Sequence, residues 1–199
     1  MQKGNTLILL RDIVPPAGSP TNYAEPQFVG LAMNYRLLDL TSTFTQKIGP
    51  KYDVQLQADF VRNMAYNPKA PFRYGALDYP LTNGILNSSG GTNLFVPDKL
   101  LSGPNGYQGI VTVGDLVIHD QWQWNVFAGY RYLQPDAVID GFTYADFHLG
   151  GTNAKGYILG GTLAFYKDTT ATVRWLSADQ IFGPRLAIDV LQLDLNTYF

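Results

Sequence analysis

An all-β, antiparallel transmembrane β-barrel is the fold class this sequence predicts, and three observations predict it. The chain ends on Leu191-Gln192-Leu193-Asp194-Leu195-Asn196-Thr197-Tyr198-Phe199, in which leucines and the terminal Phe199 share one face of an extended strand and polar residues share the other. Comparable two-residue alternation recurs along the chain, most cleanly where Val54, Leu56, Ala58 and Phe60 interleave with Asp53, Gln55, Gln57 and Asp59, a run no helical period explains. The intervening connections alternate between short and long, as in outer-membrane barrels with short periplasmic turns and long extracellular loops. A terminal strand of a soluble sheet also alternates, but soluble Greek-key sandwiches do not require strict alternation of loop length.

The pattern predicts eight strands. The first, at about 5–13, precedes a Pro-rich loop, Val14-Pro15-Pro16-Ala17-Gly18-Ser19-Pro20, too dense in proline for a paired strand. The second, at about 27–47, is long, and its apolar phase slips near Leu37-Leu38; a bulge is the preferred reading over a tight turn. Gly49-Pro50 turns the chain into the third strand, about 52–66. Residues 67–106 carry five prolines and Ser88-Ser89-Gly90-Gly91, and are expected to form one long loop; such loops are usually functional. The fourth strand spans about 107–118, with a turn near His119-Asp120-Gln121. The fifth, about 122–133, sets Trp122, Trp124, Val126, Ala128, Tyr130 and Tyr132 against Gln123, Asn125, Gly129 and Arg131. An Asp- and Gly-rich loop leads to the sixth, about 155–166. Lys167-Asp168-Thr169 turns into the seventh, about 170–178, where Ala171, Val173 and Trp175 oppose Thr172 and Arg174. Gly183-Pro184 precedes the eighth, about 187–199.

Composition narrows the function. Hydrophobic residues make up 46% of the chain, yet the longest apolar cluster is Leu7–Leu10, far short of the roughly 20 residues a membrane helix needs. A barrel escapes this test because lipid-facing and lumen-facing residues cancel. Charged residues are only 15% of the chain, low for a soluble surface, and a net charge of −2 argues against nucleic acid as a partner. The absence of cysteine removes thiolate catalysis and Cys-ligated metal. The start, Met1-Gln2-Lys3-Gly4-Asn5, does not read as a signal peptide, so the chain is expected to be a processed or partial one.

Several segments resemble the putative porins of bacterial outer membranes. They are Gly129-Tyr130-Arg131-Tyr132-Leu133 through Asp136-Ala137-Val138, the run Asp146-Phe147-His148-Leu149-Gly150-Gly151-Thr152-Asn153-Ala154-Lys155-Gly156-Tyr157, and Arg174-Trp175-Leu176-Ser177-Ala178-Asp179 with Ile188 to Asn196. The resemblance is strong over 107–199 and extends back to Arg11-Asp12-Ile13-Val14; nothing in 67–106 matches. It implies a chain that is the C-terminal part of a larger barrel, about 16 strands against the eight seen here. It also implies a location in the bacterial outer membrane and recognition of the last strand by the barrel-assembly machinery. Expected partners are therefore outer-membrane lipid, that machinery, the missing N-terminal part of the same protein, and further copies in a homo-oligomer such as a trimer.

The site residues follow from the alternation. The lumen-facing phase holds Asp53, Gln55, Gln57, Asp59, Gln123, Asn125, Arg131, Arg174, Gln192 and Asp194, with Thr172 and Asn196. Opposed Arg and Asp in a lumen would orient polar solutes and tune ion selectivity. In a closed eight-strand barrel the same residues would pair across a filled interior; in a sixteen-strand barrel they would line water. A passive channel for small polar solutes or ions is the leading expectation, and a closed eight-strand structural or binding barrel displaying its long loops is the alternative. Residues 67–106, with charges Arg73, Asp78, Asp98 and Lys99, are the expected constriction or else an extracellular lid or a plainly disordered segment. Trp122, Trp124, Tyr130, Tyr132, Trp175 and Phe199, with Tyr198, are the expected interface aromatics.

An enzyme is not expected. His119 falls in a turn and His148 in a loop near Asp146, with no Ser-centred elbow and no metal-spaced cluster around either. Gly150-Gly151-Thr152 lacks the Lys-Ser/Thr and the helix of a phosphate loop. No cofactor is implied.

Overall fold

The computed structural model describes residues 4–13, 25–70 and 101–198. The Pro-rich loop 14–20, the four charged residues expected in the constriction and the terminal Phe199 lie outside these residues. Among the described residues the fold is all-β: nine strands and two single-turn 3₁₀ segments, Asp140–Phe142 and Phe147–Leu149. No helix is long and apolar enough to cross a membrane.

Strands β1 (Leu7–Ile13) and β2 (Glu25–Leu31) pair only with each other, antiparallel, with Leu7 opposite Leu31. The other seven are β3 (Leu37–Ile48), β4 (Tyr52–Asn63), β5 (Asn105–Gly114), β6 (Trp124–Leu133), β7 (Ala154–Tyr166), β8 (Thr169–Gln180) and β9 (Ile188–Thr197). They form one antiparallel sheet in chain order, each strand beside its sequence neighbours. Such a meander puts connections alternately at its two ends. Residues 49–51, 115–123 and 167–168 lie at one end; the ends of β4 and β5 at Asn63 and Asn105, and the connections 134–153 and 181–187, lie at the other, so length alternates less strictly than expected, 115–123 being longer than 181–187. The sheet does not close: within the described residues neither β3 nor β9 has a partner on its outer side.

The tightest turns sit where backbone chemistry permits. Gly49 has φ +67° at the first short turn and Asp168 has φ +52° at the third, a conformation Asp tolerates better than most side chains. β5 ends at Gly114, with φ +122°, where a Cβ would lie 2.4 Å from the carbonyl oxygen of Trp124.

Two expectations need correction. The stretch 27–47 is not one bulged strand but parts of β2 and β3, which belong to different sheets. Between them the chain turns inward: Ala32 and Met33 are buried, Ala32 N–H donates to the Thr6 carbonyl at 2.9 Å, and Tyr35 reaches a buried carboxylate. The phase slip at Leu37-Leu38 is the start of a new strand. The strand expected from residue 122 begins instead at Trp124. Trp122 has φ +70°, so it cannot extend the ladder; its N–H donates to Ala164 O at 2.7 Å.

The two faces of the sheet differ in kind. Residues directly opposite in an antiparallel ladder share a face. One face carries Phe44, Leu56, Val111, Ala128, Leu159, Trp175 and Leu191 in a single row across seven strands. Its large side chains are open: Leu191, Leu193 and Leu195 are 74%, 76% and 70% exposed. The other face carries the polar residues and, over β7 and β8, the buried cluster Phe147, Ala154, Ile158, Leu176 and Ala178, with Phe127, Tyr144 and Val190 against it. Full burial of Phe147 alone stabilises by about 1.5–3 kcal/mol. Gly160 lets the Phe127 ring lie across β7, where any Cβ would come within 2.4 Å of it.

Candidate channel face and constriction

Strand register assembles the polar face. Asp53 lies opposite Gly114, which faces Asn125; Gln55 faces Thr112; Gln57 faces Ile110. One row runs Thr41, Asp59, Gln108, Arg131 across β3 to β6. Another runs Thr162, Thr172, Asp194 across β7 to β9, beside the Arg174–Gln192 pair. Of the ten residues expected in the lumen, nine share this face. Gln123 does not sit in a strand: its side-chain carbonyl accepts the N–H groups of His119 and Asp120 at 2.7 and 2.8 Å and closes the turn before β6.

Hydrogen bonds knit the rows. Arg131 Nε donates to Gln108 Oε1 at 2.6 Å, and Gln108 Nε2 reaches Asp59 Oδ2 at 3.4 Å. Arg174 Nη1 donates to Gln192 Oε1 at 2.9 Å and to the Tyr144 hydroxyl at 3.0 Å. The Thr162 and Thr172 hydroxyls are 2.9 Å apart.

Tyr144 belongs to the connection 134–153, which folds back over this polar face. The Arg131 guanidinium lies over the Phe147 ring at 5.0 Å and the Tyr144 ring at 5.7 Å, a pair of cation–π contacts. Two arginines thus hold two aromatic residues of the loop against the sheet. The exit of the loop is equally fixed. Asn153 receives the Phe182 N–H on its carbonyl at 3.0 Å and donates to Phe182 O at 2.9 Å. His148, fully buried, sits with Nε2 2.7 Å from Leu186 O. His148, Leu149, Gly150, Gly151 and Asn153 all have positive φ, so the chain reverses sharply here.

A buried polar node closes the same end of the sheet. Asp136 is fully buried. One carboxylate oxygen accepts Thr6 N–H at 2.9 Å and the Tyr35 hydroxyl at 3.0 Å; the other accepts the Thr6 hydroxyl at 2.6 Å and the Ser102 hydroxyl. Asp140 accepts Thr152 N–H at 2.8 Å, the Thr152 hydroxyl at 2.7 Å and Asn5 N–H at 3.0 Å. Asn5 accepts Asp140 N–H at 2.8 Å and donates to the carbonyls of Pro135 and Val138 at 2.6 and 2.7 Å. Asn63 donates to Asp136 O at 3.1 Å and to Asn34 O at 2.9 Å. Burial, reinforced by the neighbouring Asp136 carboxylate, holds the Tyr35 phenol above the ordinary tyrosine range. Burial raises Tyr66 as well.

The sequence pattern did not reveal this node, because its members are scattered from Asn5 to Thr152 and each reads alone as a loop residue. The inward loop did leave a signal: Tyr144 and Phe147, the aromatics that pack on the sheet, stand in an otherwise Asp- and Gly-rich connection.

The expected interface aromatics take several positions. Tyr107 stacks on Tyr132 at 5.0 Å, and Tyr130 meets Tyr157 edge-on at 5.2 Å, on the apolar face toward the long connections. Tyr52 meets Trp124 at 5.3 Å toward the short turns. At about 3.4 Å per residue, Trp124 and Tyr132 are roughly 27 Å apart along β6. Trp175 lies mid-strand in the apolar row, Trp122 is an exposed turn residue, and Tyr198 N–H donates to Asp168 O at 3.0 Å.

His119 is exposed, its Nδ1 3.5 Å from Asp168 Oδ1 across two short turns. Among the described residues no group of three His, Cys, Asp or Glu side chains could hold a metal ion.

An open antiparallel sheet, apolar and exposed on one side, polar and loop-covered on the other, is the class of architecture these residues define. The family model described as putative porin matches residues 1–199, and the chain belongs to that family. No curated protein and no solved structure matches the chain. Membership points to a membrane location and to channel activity rather than catalysis.

Proposed function

We propose that this sheet is part of a transmembrane barrel in the bacterial outer membrane, and that the protein is a passive channel for small polar solutes or ions. The observation that carries the reading is the reversed polarity of the sheet. Its exposed face is a continuous field of Leu, Val, Phe, Tyr and Trp, which water disfavours and lipid accepts, while Asp, Arg, Gln and Thr look the other way. A soluble sheet buries the first set and wets the second.

The unpaired outer edges of β3 and β9 support a larger barrel. An exposed backbone donor or acceptor in hydrocarbon costs several kcal/mol. Further strands, supplied by another part of the same protein, satisfy these edges and widen the lumen toward a sixteen-strand bore that holds water. The alternative reading, a small closed barrel, would have to pair β3 with β9 and close on seven strands, or insert β1 and β2 between them and close on nine, neither of them the eight expected. The inward loop 134–153 is then the constriction of the described part, because it crosses the polar face and is pinned to it by Arg131 and Arg174. Outer-membrane lipid, the assembly machinery at β9 and a homo-oligomer are the partners this reading carries.

Conductance across a planar bilayer tests it. The whole protein is expected to open ion-conducting channels whose cation-to-anion preference shifts on Asp53→Lys; a correctly inserted protein that passes no current overturns the channel assignment.

A further inference from the structure

Between strands β3–β6 and the segment Val138–Tyr144 of the inward loop lies a recess of about 450 Å³. That is within the roughly 300–1,000 Å³ range of small-molecule sites and far larger than a single hydrated ion needs. Leu37, Asp39, Asp59, Gln108, Arg131 and Tyr144 are among its walls.

Its charges are separated rather than mixed. Asp39 and Asp59 stand on the β3–β4 side; among the described residues neither has a cation within ion-pair distance, and Asp59 receives only the long 3.4 Å bond from Gln108. Arg131 stands on β6. Its Nε is taken by Gln108, it lies over the rings of Phe147 and Tyr144, and among the described residues no carboxylate is within ion-pair distance of its terminal nitrogens. A guanidinium held by its edge and its face in this way presents a preformed fork to an incoming carboxylate. Asp59 and Arg131 share one row with Gln108 between them, so their backbones are roughly 10 Å apart. Apolar side chains, Leu37, Val61, Leu133 and the exposed Phe142, line the rest of this open recess.

We propose that this recess is a binding subsite for zwitterionic solutes with an apolar body, of dipeptide size, oriented with the ammonium toward Asp39 and Asp59 and the carboxylate toward Arg131. A dipeptide spreads its two charges across two residues, so that each can meet its own wall while the apolar body lies along Leu37, Val61 and Leu133. The proposal rests on the channel reading, since it names the class of solute the polar face selects.

The test uses the whole protein in detergent, titrated with glycyl-leucine and followed by saturation-transfer NMR, so that binding is read without reference to conduction. Saturable binding is expected, weakened about tenfold by Arg131→Gln and by Asp59→Asn. N-acetyl-glycyl-leucine, which lacks the ammonium, and glycyl-leucinamide, which lacks the carboxylate, are expected to bind about tenfold more weakly than the parent. Absence of saturable binding overturns the subsite, as does binding that neither substitution nor either cap weakens. If Arg131→Gln releases the loop and fails to fold, Asp59→Asn and the capped peptides carry the same test on folded protein. A protein that binds the dipeptide yet conducts no current overturns the channel; one that conducts and does not bind overturns only the subsite.

Discussion

Replacing Asp136 with alanine should destabilise the fold more than its single position in a loop suggests. The carboxylate is fully buried and accepts four donors, Thr6 N–H, the Thr6 hydroxyl, the Tyr35 hydroxyl and the Ser102 hydroxyl. Alanine leaves all four without this acceptor. The three hydroxyls can rotate toward other acceptors, but the Thr6 N–H is fixed by the backbone and stays unsatisfied, at about 1–3 kcal/mol. Adding about 1 kcal/mol for each displaced hydroxyl, and allowing for shared relaxation, gives roughly 3–5 kcal/mol for Asp136→Ala. Asparagine behaves differently. Its carbonyl can keep the Thr6 N–H and Tyr35 bonds, and its amide can donate to the rotated Thr6 and Ser102 hydroxyls, so Asp136→Asn should lose only about 1 kcal/mol. Denaturant unfolding of the whole protein in detergent, followed by tryptophan fluorescence, reads both values. A double-mutant cycle with Tyr35→Phe should show a coupling of about 1 kcal/mol. Equal losses for alanine and asparagine, or strict additivity with Tyr35→Phe, would refute the assignment of Asp136 as the acceptor at the centre of the node.

Other substitutions probe other parts of the fold. Leu193→Lys places a charge on the exposed apolar face of β9 and should cost about 2–4 kcal/mol of insertion into lipid bilayers; Asn196→Lys, exposed on the polar face of the same strand, should insert normally, and a folding assay in liposomes separates the two. Leu149 is exposed yet held at φ +58°, so Leu149→Gly should raise stability by about 0.5–1 kcal/mol, read as a higher unfolding midpoint. Tyr35 is held protonated by burial and by Asp136, so its folded pKa lies above the unfolded value near 10. Its contribution is fully present below that pH and is lost as pH rises toward the folded value. Unfolding midpoints should therefore fall above about pH 10, with a shallower fall in Tyr35→Phe.

Strand positions were legible because period-two alternation is a local signal. Val54 to Phe60 and Leu191 to Leu195 state their faces without reference to anything distant, and the register of β4 and β9 keeps those faces. Segment 32–36 was not legible for the opposite reason. Leu31, Met33 and Tyr35 keep one apolar phase that suits a strand, and contacts of Ala32 to Thr6 and of Tyr35 to Asp136, far away in sequence, draw the segment out of the ladder. The inward course of residues 134–153 depends likewise on Arg131 and Arg174, which the alternation places on the correct face but cannot assign to a loop. Trp122 fitted the alternation and still lies in a turn, because a positive φ is invisible to hydrophobic patterning.

The loop is fastened at three depths, and this bears on how a channel built this way selects its solutes. Asn5, Asp140 and Thr152 tie it at the rim; Arg131 and Arg174 hold its aromatics on the sheet; Asn153 and His148 clamp its exit to residues 182 and 186. Releasing it as a lid would break charged hydrogen bonds and expose Phe147, each worth about 1.5–3 kcal/mol. Those losses fall together, so the open arrangement would be rarely populated. The loop is thus a fixed wall rather than a moving gate. Among the described residues it packs over β7 and β8 and forms, with Val138–Tyr144, one wall of the recess that Asp39, Asp59 and Arg131 line over β3–β6. In the proposed channel, selection then comes from the shape and charge of these fixed walls, and a solute is tested by what it touches while crossing rather than by a conformational step.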